Sequence, residues 1–410
     1  MRFDTALREY VHTKILEIAP VDLVIGIPTY NSEATVAHVV KTVAEGAARD
    51  YPAAKTVILV SDGGSLDYTR EVVQKLKIPA GVLKVIFIYR GLPGKGTSLR
   101  AVFEAAVRLK AKACAVFDSD LRSITPDWVK AMVDPVLSQG FDFVSASYVR
   151  HKYDGTITNH IAYSLTRALY GKRVRQPIAG DFGFSPALTE FFTKQYVWET
   201  DIARFGIDIW MTTIALCEGF KVCEAHLGTK VHDAKDPATS LGPMFSQVVG
   251  TLFELMGRYR EVWTRVRGSE PVPLLGQPRE IEPPVVEVNL DRMQRAFRQG
   301  YEHFGPVWKE ILSPAVFEGW QAARETMVVP PECWVRTVYD FAAAYLRWEE
   351  DRGALVEMMV PLYLGQTASF VRETREMTTA EAEREVVERQ AALFEAEKPY
   401  LLERCGVAAG

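Results

Sequence analysis

Ala113-Cys-Ala-Val-Phe-Asp-Ser-Asp120 is an apolar, β-rich run that ends abruptly in two carboxylates one residue apart. The same pattern recurs upstream. Asp22-Leu-Val-Ile-Gly-Ile-Pro28 ends in Thr29-Tyr-Asn-Ser-Glu33, and Thr56-Val-Ile-Leu-Val60 ends in Ser61-Asp-Gly-Gly-Ser-Leu-Asp67. Leu83-Lys-Val-Ile-Phe-Ile-Tyr89 ends in Arg90-Gly-Leu-Pro-Gly-Lys-Gly96, and Phe141-Asp-Phe-Val-Ser145 follows downstream. Between the runs lie amphipathic stretches of helical length, roughly 32–49, 67–76, 96–109 and 126–139. Apolar strands alternating with helices predict an α/β fold with a parallel sheet covered on both faces. Such sheets take ligands in the crevice beyond the carboxyl ends of their strands. The polar clusters sit at those ends, so they are expected to converge on one crevice.

The rest of the chain sets the frame. At 410 residues it is longer than one typical domain. Its hydrophobic content of 48% and charged content of 24% are those of a globular protein. A net charge of -4 gives no reason to expect nucleic acid as a partner. Five dispersed cysteines form no Cys-x-x-Cys pair, which argues against a structural zinc and fits reduced thiols in a cytoplasmic protein. The first twenty residues are too charged for a signal peptide. No run of about 18 uncharged apolar residues predicts a membrane span. Pro271, Pro273, Pro278, Pro283 and Pro284 mark 268–287 as a linker or strap. The expected division is therefore 1–267, the strap 268–287, and a helical region 288–410. Thr378-Thr-Ala-Glu381 has the form of a capping box opening a charged helix to about Arg404. Trp308, Trp320, Trp334 and Trp348 suit core packing, with a homodimer surface as the other reading.

Asp118 and Asp120, straight after a strand, suit a hard divalent cation and its waters, which would neutralise a diphosphate. A bare Asp-x-Asp is also a common surface turn. His232, after the β-rich Phe220–His226, is a candidate further ligand better matched to Mn²⁺ than to Mg²⁺. Lys95 and the glycines before it offer a cation and backbone N–H groups at a helix start, an anion site. They do not match the phosphate-loop pattern, since Gly96 follows Lys95. No Gly-x-Ser-x-Gly nucleophile and no Gly-x-Gly-x-x-Gly after the first strand are present. After the fifth strand, Arg150, Tyr153, Thr156 and Thr158 supply a cation and hydroxyls of the kind a small carboxylate needs.

As an ordered set, Ile27-Pro-Thr-Tyr-Asn-Ser-Glu33, Ser61-Asp-Gly-Gly-Ser65, Lys95-Gly96 and Asp118-Ser-Asp120 resemble the GT-A glycosyltransferases. Arg175-Gln-Pro-Ile-Ala-Gly-Asp-Phe-Gly183, Arg204-Phe-Gly-Ile-Asp-Ile-Trp210 and Gly228-Thr-Lys-Val-His232 resemble the glucosylglycerate, mannosylglycerate and glucosyl-3-phosphoglycerate synthases within them. The resemblance implies a Rossmann-like GT-A domain with a mostly helical C-terminal extension. It implies that Pro28, Tyr30 and Glu33 border base and ribose, that Asp62 meets the base, and that Lys95 meets the ribose or diphosphate. Ser119, Gln176 and Gly180 join the nucleotide-sugar site. Asp120 and His232 ligate Mg²⁺ or Mn²⁺ with Asp118 assisting, and Asp208 lies beside the sugar. The implied activity is a retaining transfer of glucose from an NDP-glucose, preferably GDP-glucose, to D-glycerate. 3-Phosphoglycerate as acceptor and GDP-mannose as donor are the alternatives. A non-catalytic nucleotide-sugar-binding or scaffold protein is the alternative from another class.

Overall fold

The computed structural model describes residues 3–232, 241–277 and 282–407, so Pro278 lies outside it. The chain divides into two compact units that interleave in sequence. The first holds Met1–Val149, Gln176–Asp233 and Val272–Arg279; the second holds Arg150–Arg175, Ala234–Pro271 and Glu280–Gly410. This differs from a cut near 267. The segment after the fifth strand leaves the sheet to join helices and then returns, a choice made by tertiary packing that local composition does not record.

The first unit is an eight-stranded sheet with helices. Its strands are β1 (Leu23–Thr29), β2 (Thr56–Asp62), β3 (Val82–Ile88), β4 (Ala113–Val116), β5 (Phe143–Val149), β6 (Phe182–Phe184), β7 (Val222–Thr229) and β8 (Leu274–Leu275). Their spatial order is β8-β7-β5-β6-β4-β1-β2-β3. The helices are α1 (Glu9–Ile18), α2 (Val36–Asp50), α3 (Thr69–Lys75), α4 (Lys95–Arg108), α5 (Asp127–Ser138), α6 (Pro186–Thr193) and α7 (Ile207–Cys217). The parallel alternation is present as read from the sequence, with one correction: β6 runs antiparallel to both β4 and β5. Three residues are too few to show a strand period.

Register places the loops. Thr29 pairs with Asp62 and Asp62 with Ile88, so the loops after β1, β2 and β3 start at one level. Phe117 N–H donates to Gly26 O at 3.0 Å, which brings the 118–120 turn beside them. On the other side, Val116 pairs with Phe182, putting Asp181 against Asp118. Lys230 N–H donates to Val149 O at 3.1 Å, so Lys230 stands at the end of β7. Beneath this edge the core is packed with aromatics. Phe103 meets Phe184 edge-on at 5.1 Å, Phe143 meets Phe182 at 5.3 Å, and Phe192 meets Trp210 at 5.0 Å. Burying such rings contributes most of what holds a sheet under its helices.

The second unit is helical. Trp308, Trp320 and Trp334 are fully buried, and Trp348 is half-buried. Each buried indole N–H finds an acceptor: Met358 O at 3.0 Å, Thr337 Oγ1 at 2.7 Å and His160 O at 2.9 Å respectively. The capping box at Thr378 and Glu381 forms as expected. The helix it opens is not continuous: a π-turn spans Glu383–Val387, and a new helix starts at Lys398 with Pro399 in its first turn. Proline cannot donate to a preceding turn, so it marks that restart. Among the described residues, Arg352–Glu373 has the length and composition to cross a membrane: an 18-residue window of it has a mean hydropathy of 1.2, and 72% of that window is buried inside the protein, as in the core helix of a globular unit. In the expected linker, Glu270–Pro271 pairs with Lys172–Arg173 within this unit. Leu274–Leu275 of the same stretch is β8 of the sheet.

Candidate functional site

At the strand ends of the first unit, five charged side chains form a row of alternating sign. Lys95 Nζ lies 3.1 Å from Asp208 Oδ2 and 2.9 Å from Asp118 Oδ1. Lys230 Nζ lies 3.1 Å from Asp118 Oδ2 and 2.9 Å from Asp181 Oδ2. The row is thus Asp208, Lys95, Asp118, Lys230, Asp181. Each comes from a different place: the first turn of α7, the start of α4, the end of β4, the end of β7 and the residue before β6. Both lysines also donate to backbone, Lys95 to Gly180 O at 3.3 Å and Lys230 to Ala179 O at 2.8 Å. Asp181 accepts from Asp118 N–H at 2.7 Å and from the Tyr148 hydroxyl.

Burial and charge set the protonation tendencies. Burial alone would raise the Asp118 carboxyl, but Lys95 and Lys230 hold it well below the usual 3.8. Burial pushes Asp208 and Asp181 upward, with Asp118 adding to both and the lysines opposing. Burial disfavours the charged Lys95, yet Asp118 and Asp208 outweigh it and keep its ammonium protonated. Three carboxylates share two ammonium groups, so the row is one negative charge in excess. Asp208 Oδ1 is buried with no hydrogen-bond partner among the described residues. An orphaned buried acceptor of that kind calls for a donor from elsewhere.

Two glycines make the row geometrically accessible. Gly180 has φ of +93°, and a Cβ there would lie 2.1 Å from Asp118 Oδ2 and 2.9 Å from Lys230 Nζ. Gly96 sits under the 202–204 turn, where a Cβ would lie 1.7 Å from Ile202 O. Only glycine lets backbone approach that closely.

Around the row, the first three strand-end loops are stitched together. Asn31 N–H donates to Ser65 Oγ at 2.9 Å, and Leu66 N–H to Asn31 Oδ1 at 2.9 Å. Glu33 accepts from Tyr68 N–H at 2.9 Å. Ser119 lies 2.9 Å from Ser32, hydroxyl to hydroxyl, and its carbonyl accepts from the Thr35 hydroxyl at 2.8 Å. Asp62 is fully buried, and its carboxylate accepts from Gly64 and Ser65 N–H, the Ser65 hydroxyl and the Thr29 hydroxyl. It therefore shapes its own loop. Tyr30 is 59% exposed at the rim, and Pro28 lies within β1 opposite Ser61. Gln176 donates to Tyr148 O at 2.8 Å, while its Oε1 is buried with no partner among the described residues.

Asp120 differs from Asp118. It is partly exposed and makes no hydrogen bond or ion pair among the described residues. The turn it opens is fastened to the chain just before His232: Arg122 N–H donates to Val231 O at 2.8 Å, and Val231 N–H to Ser123 Oγ at 2.9 Å. A carboxylate oxygen suits Mg²⁺ or Mn²⁺, and an imidazole nitrogen beside it suits Mn²⁺ the better of the two. Among the described residues no three His, Cys, Asp or Glu side chains converge as a metal cage. A cation at Asp120 and His232 would take its other ligands from substrate oxygens and water.

The residues expected to hold an acceptor lie in the second unit. Arg150 forms a two-armed pair with Asp154, both bonds at 2.9 Å. The Tyr153 hydroxyl donates to Val371 O at 3.3 Å, and its ring packs with Phe370. Thr156 is fully buried against the Tyr363 hydroxyl, and Thr158 is buried at the start of the π-turn Thr158–Ala162. Sequence reasoning did not single out Lys230 as a site residue, and it met Asp181 only within the Arg175–Gly183 motif, in connection with a sugar contact, without placing it in the charged row. The signal for Lys230 was present: a lysine two positions before His232, closing an apolar β-rich run.

Residues 24–192 match the family model described as glycosyl transferase family 2, under half of the chain's length. No curated protein sequence matches significantly. Among solved structures, the chain is similar to glucosyl-3-phosphoglycerate synthase from Mycobacterium tuberculosis. The complex with Mn²⁺, UDP and glucosyl-3-phosphoglycerate matches at 22% identity and a TM-score of 0.45, over 60% of this chain and 85% of that one. The complex with Mg²⁺ and UDP matches at 22% identity and 0.44, over 59% and 82%. The sheet with its polar strand ends is the Rossmann-like GT-A arrangement, as the sequence resemblance implied.

Proposed function

We propose that the chain transfers a hexose from a nucleoside diphosphate sugar to a hydroxyl of a glycerate-type acid, with retention at the anomeric carbon. GDP-glucose and free D-glycerate are the preferred pair; UDP-glucose and 3-phosphoglycerate are the alternatives. The observation that carries the reading is the Asp208–Lys95–Asp118 row at the strand ends, with Asp208 Oδ1 buried and unpartnered among the described residues. A sugar hydroxyl is the group that would satisfy that oxygen. The family 2 match over residues 24–192, which include Lys95 and Asp118, supports it.

Each residue then has a task. Lys95 balances charge developing on the departing diphosphate, in a site where a fixed ammonium acts at low dielectric. Asp208 accepts a hydroxyl of the hexose and orients the ring. Asp118 holds Lys95 in place, and Lys230 and Asp181 hold Asp118. Tyr30 and Pro28 border the base. Asp120 and His232 would hold the divalent cation, which supplies neutralisation of the diphosphate. The acceptor hydroxyl approaches the face the diphosphate leaves; its oxygen bonds to the anomeric carbon as the carbon–phosphate oxygen bond breaks. The hydroxyl proton passes to the departing phosphate oxygen, so no enzyme nucleophile is needed.

A donor-by-acceptor matrix tests this: GDP- and UDP-glucose and GDP-mannose against D-glycerate and 3-phosphoglycerate, with Mn²⁺ or Mg²⁺, following NDP release and anomeric configuration. Acceptor-dependent NDP release with an α-linked product is expected. Tight nucleotide-sugar binding with no turnover for any pair would replace the enzyme reading with a binding protein.

A further inference from the structure

Lys95 enters the row at the end of a loop that has little of its own to hold it. Gly91 and Gly94 both have positive φ, 141° and 155°. Within the loop, the Tyr89 hydroxyl takes Gly94 N–H at 3.0 Å and gives to Gly94 O at 3.2 Å. Beyond that, Gly96 N–H donates to Arg204 O at 3.2 Å, and the segments before and after the loop are both tied to one distant stretch, Phe3–Arg8. Before the loop, Arg90 N–H donates to Ala6 O at 2.9 Å, and the Arg90 guanidinium donates twice to Thr5 O at 3.3 Å. The same guanidinium lies 5.4 Å from the centre of the Phe3 ring. Arg8 Nε donates to Ile88 O at 3.0 Å.

After the loop, helix α4 is held by the same stretch. Arg100 donates to Phe3 O at 2.9 Å. Ala6 N–H donates to Glu104 at 3.1 Å, and the Thr5 hydroxyl donates to Glu104 as well. Glu104 is itself buried and paired with Arg100 at 2.8 Å. Ala6 and Leu7 are buried at 0% and 2% exposure, so the stretch is seated, not draped. Its polar bonds run to Ile88 and Arg90 before the loop and to Arg100 and Glu104 of α4 after it, and none goes to the charged row itself.

We propose that Phe3–Arg8 is a strap that orders the 91–94 loop and so positions Lys95 for the anionic part of the donor. The inference rests on the transferase reading only for what Lys95 faces. Arg90 and Phe3 act through Lys95 and are positioning residues. A glycine-rich loop released at one flank samples more backbone conformations, and the ammonium must be re-ordered each time an anion binds.

The test uses the full chain with Arg90→Ala, Phe3→Ala and Arg90→Lys. Hydrogen exchange is followed in peptides covering residues 89–97, binding of UDP and of GDP with Mn²⁺ by calorimetry, and KM for donor and acceptor separately. In the Arg90→Ala chain, exchange over 89–97 should accelerate about tenfold, the scale of one charge-assisted hydrogen bond. Nucleotide affinity should fall several-fold, and donor KM should rise while acceptor KM holds. Phe3→Ala should move the same way by less, and Arg90→Lys should recover part of the loss. Unchanged exchange over 89–97 in both alanine variants overturns the strap. Faster exchange with unchanged nucleotide affinity overturns the positioning of Lys95. A wild-type chain that binds neither nucleotide sinks the transferase reading instead, and the exchange comparison alone then decides the strap.

Discussion

Replacing Lys230 with methionine removes one ammonium and keeps a flexible apolar stem of similar reach. Lys230 is almost fully buried, with a side-chain exposure of 4% against 0% for Asp181 and 24% for Asp118. Its removal leaves Asp181 with no cation and strips Asp118 of one of two. Breaking a buried pair from one side typically costs about 3–5 kcal/mol, because a charge stays behind unpaired. Asp118 is a quarter exposed and screened, so the expected cost is about 3 kcal/mol. The sign with pH follows from the shifts. Asp118 sits below its ordinary 3.8, so its contribution is complete above that value and is lost as pH falls through the lower folded value. In the variant both carboxyls rise, the folded state takes up protons more readily, and the deficit is greatest near neutral pH and narrows toward pH 4. Urea unfolding at neutral pH and near pH 5 reads this directly. Adding Asp181→Asn removes the stranded charge, so the double variant should regain more than about 1 kcal/mol over Lys230→Met alone. A single variant within about 1 kcal/mol of wild type, or a double variant that loses the sum of the two singles, would refute the charge-row account.

Gly180→Ala should destabilise by about 2–3 kcal/mol, since its Cβ meets Asp118 Oδ2 at 2.1 Å in a left-handed backbone; urea midpoints check it. Asp120→Ala should leave the unfolding free energy within about 0.5 kcal/mol of wild type, since Asp120 has no hydrogen-bond or ion-pair partner among the described residues, while metal-dependent turnover falls at least about a hundredfold. Full activity in that variant removes the metal assignment. Asp208→Asn should lower kcat. Because burial raises the Asp208 carboxyl, kcat/KM of the wild type should fall on the acid side at a pH above the usual aspartate range, and that limb should vanish in the variant.

Much of the crevice was legible because its parts are local. The strand runs at 22–28 and 56–60 were read within two residues of β1 and β2, since near-continuous apolar runs punctuated by Gly, Pro and Asp leave few other options. Lys95 and the Asp118-Ser119-Asp120 turn were placed at strand ends for the same reason. What stayed hidden depends on partners far along the chain. Phe182–Phe184 becomes a strand only because β4 and β5 leave a gap that Phe-Gly-Phe fills. Lys230 closes an apolar run two residues before His232, but its role shows only when Asp118 and Asp181 close on it. Arg150–Arg175 reads as the continuation of a sheet domain, yet Trp334 and Tyr363 claim it for the helical unit.

The two aspartates of the 118–120 turn illustrate how one short motif can hold two tasks. They are one residue apart, yet Asp118 is pinned between two lysines and Asp120 has no partner among the described residues. A carboxylate with an ammonium on each oxygen is a poor ligand for a further cation, because those ammonium groups would repel it. On the proposed function the cation would therefore fall to Asp120, with His232 next to Val231, which is bonded to Arg122 and Ser123 of the same turn. Asp118 instead fixes Lys95 at a set distance from Asp208. On that reading Lys95 would supply a fixed positive charge and the cation an exchangeable one, and both would neutralise the diphosphate as its bond to the sugar breaks.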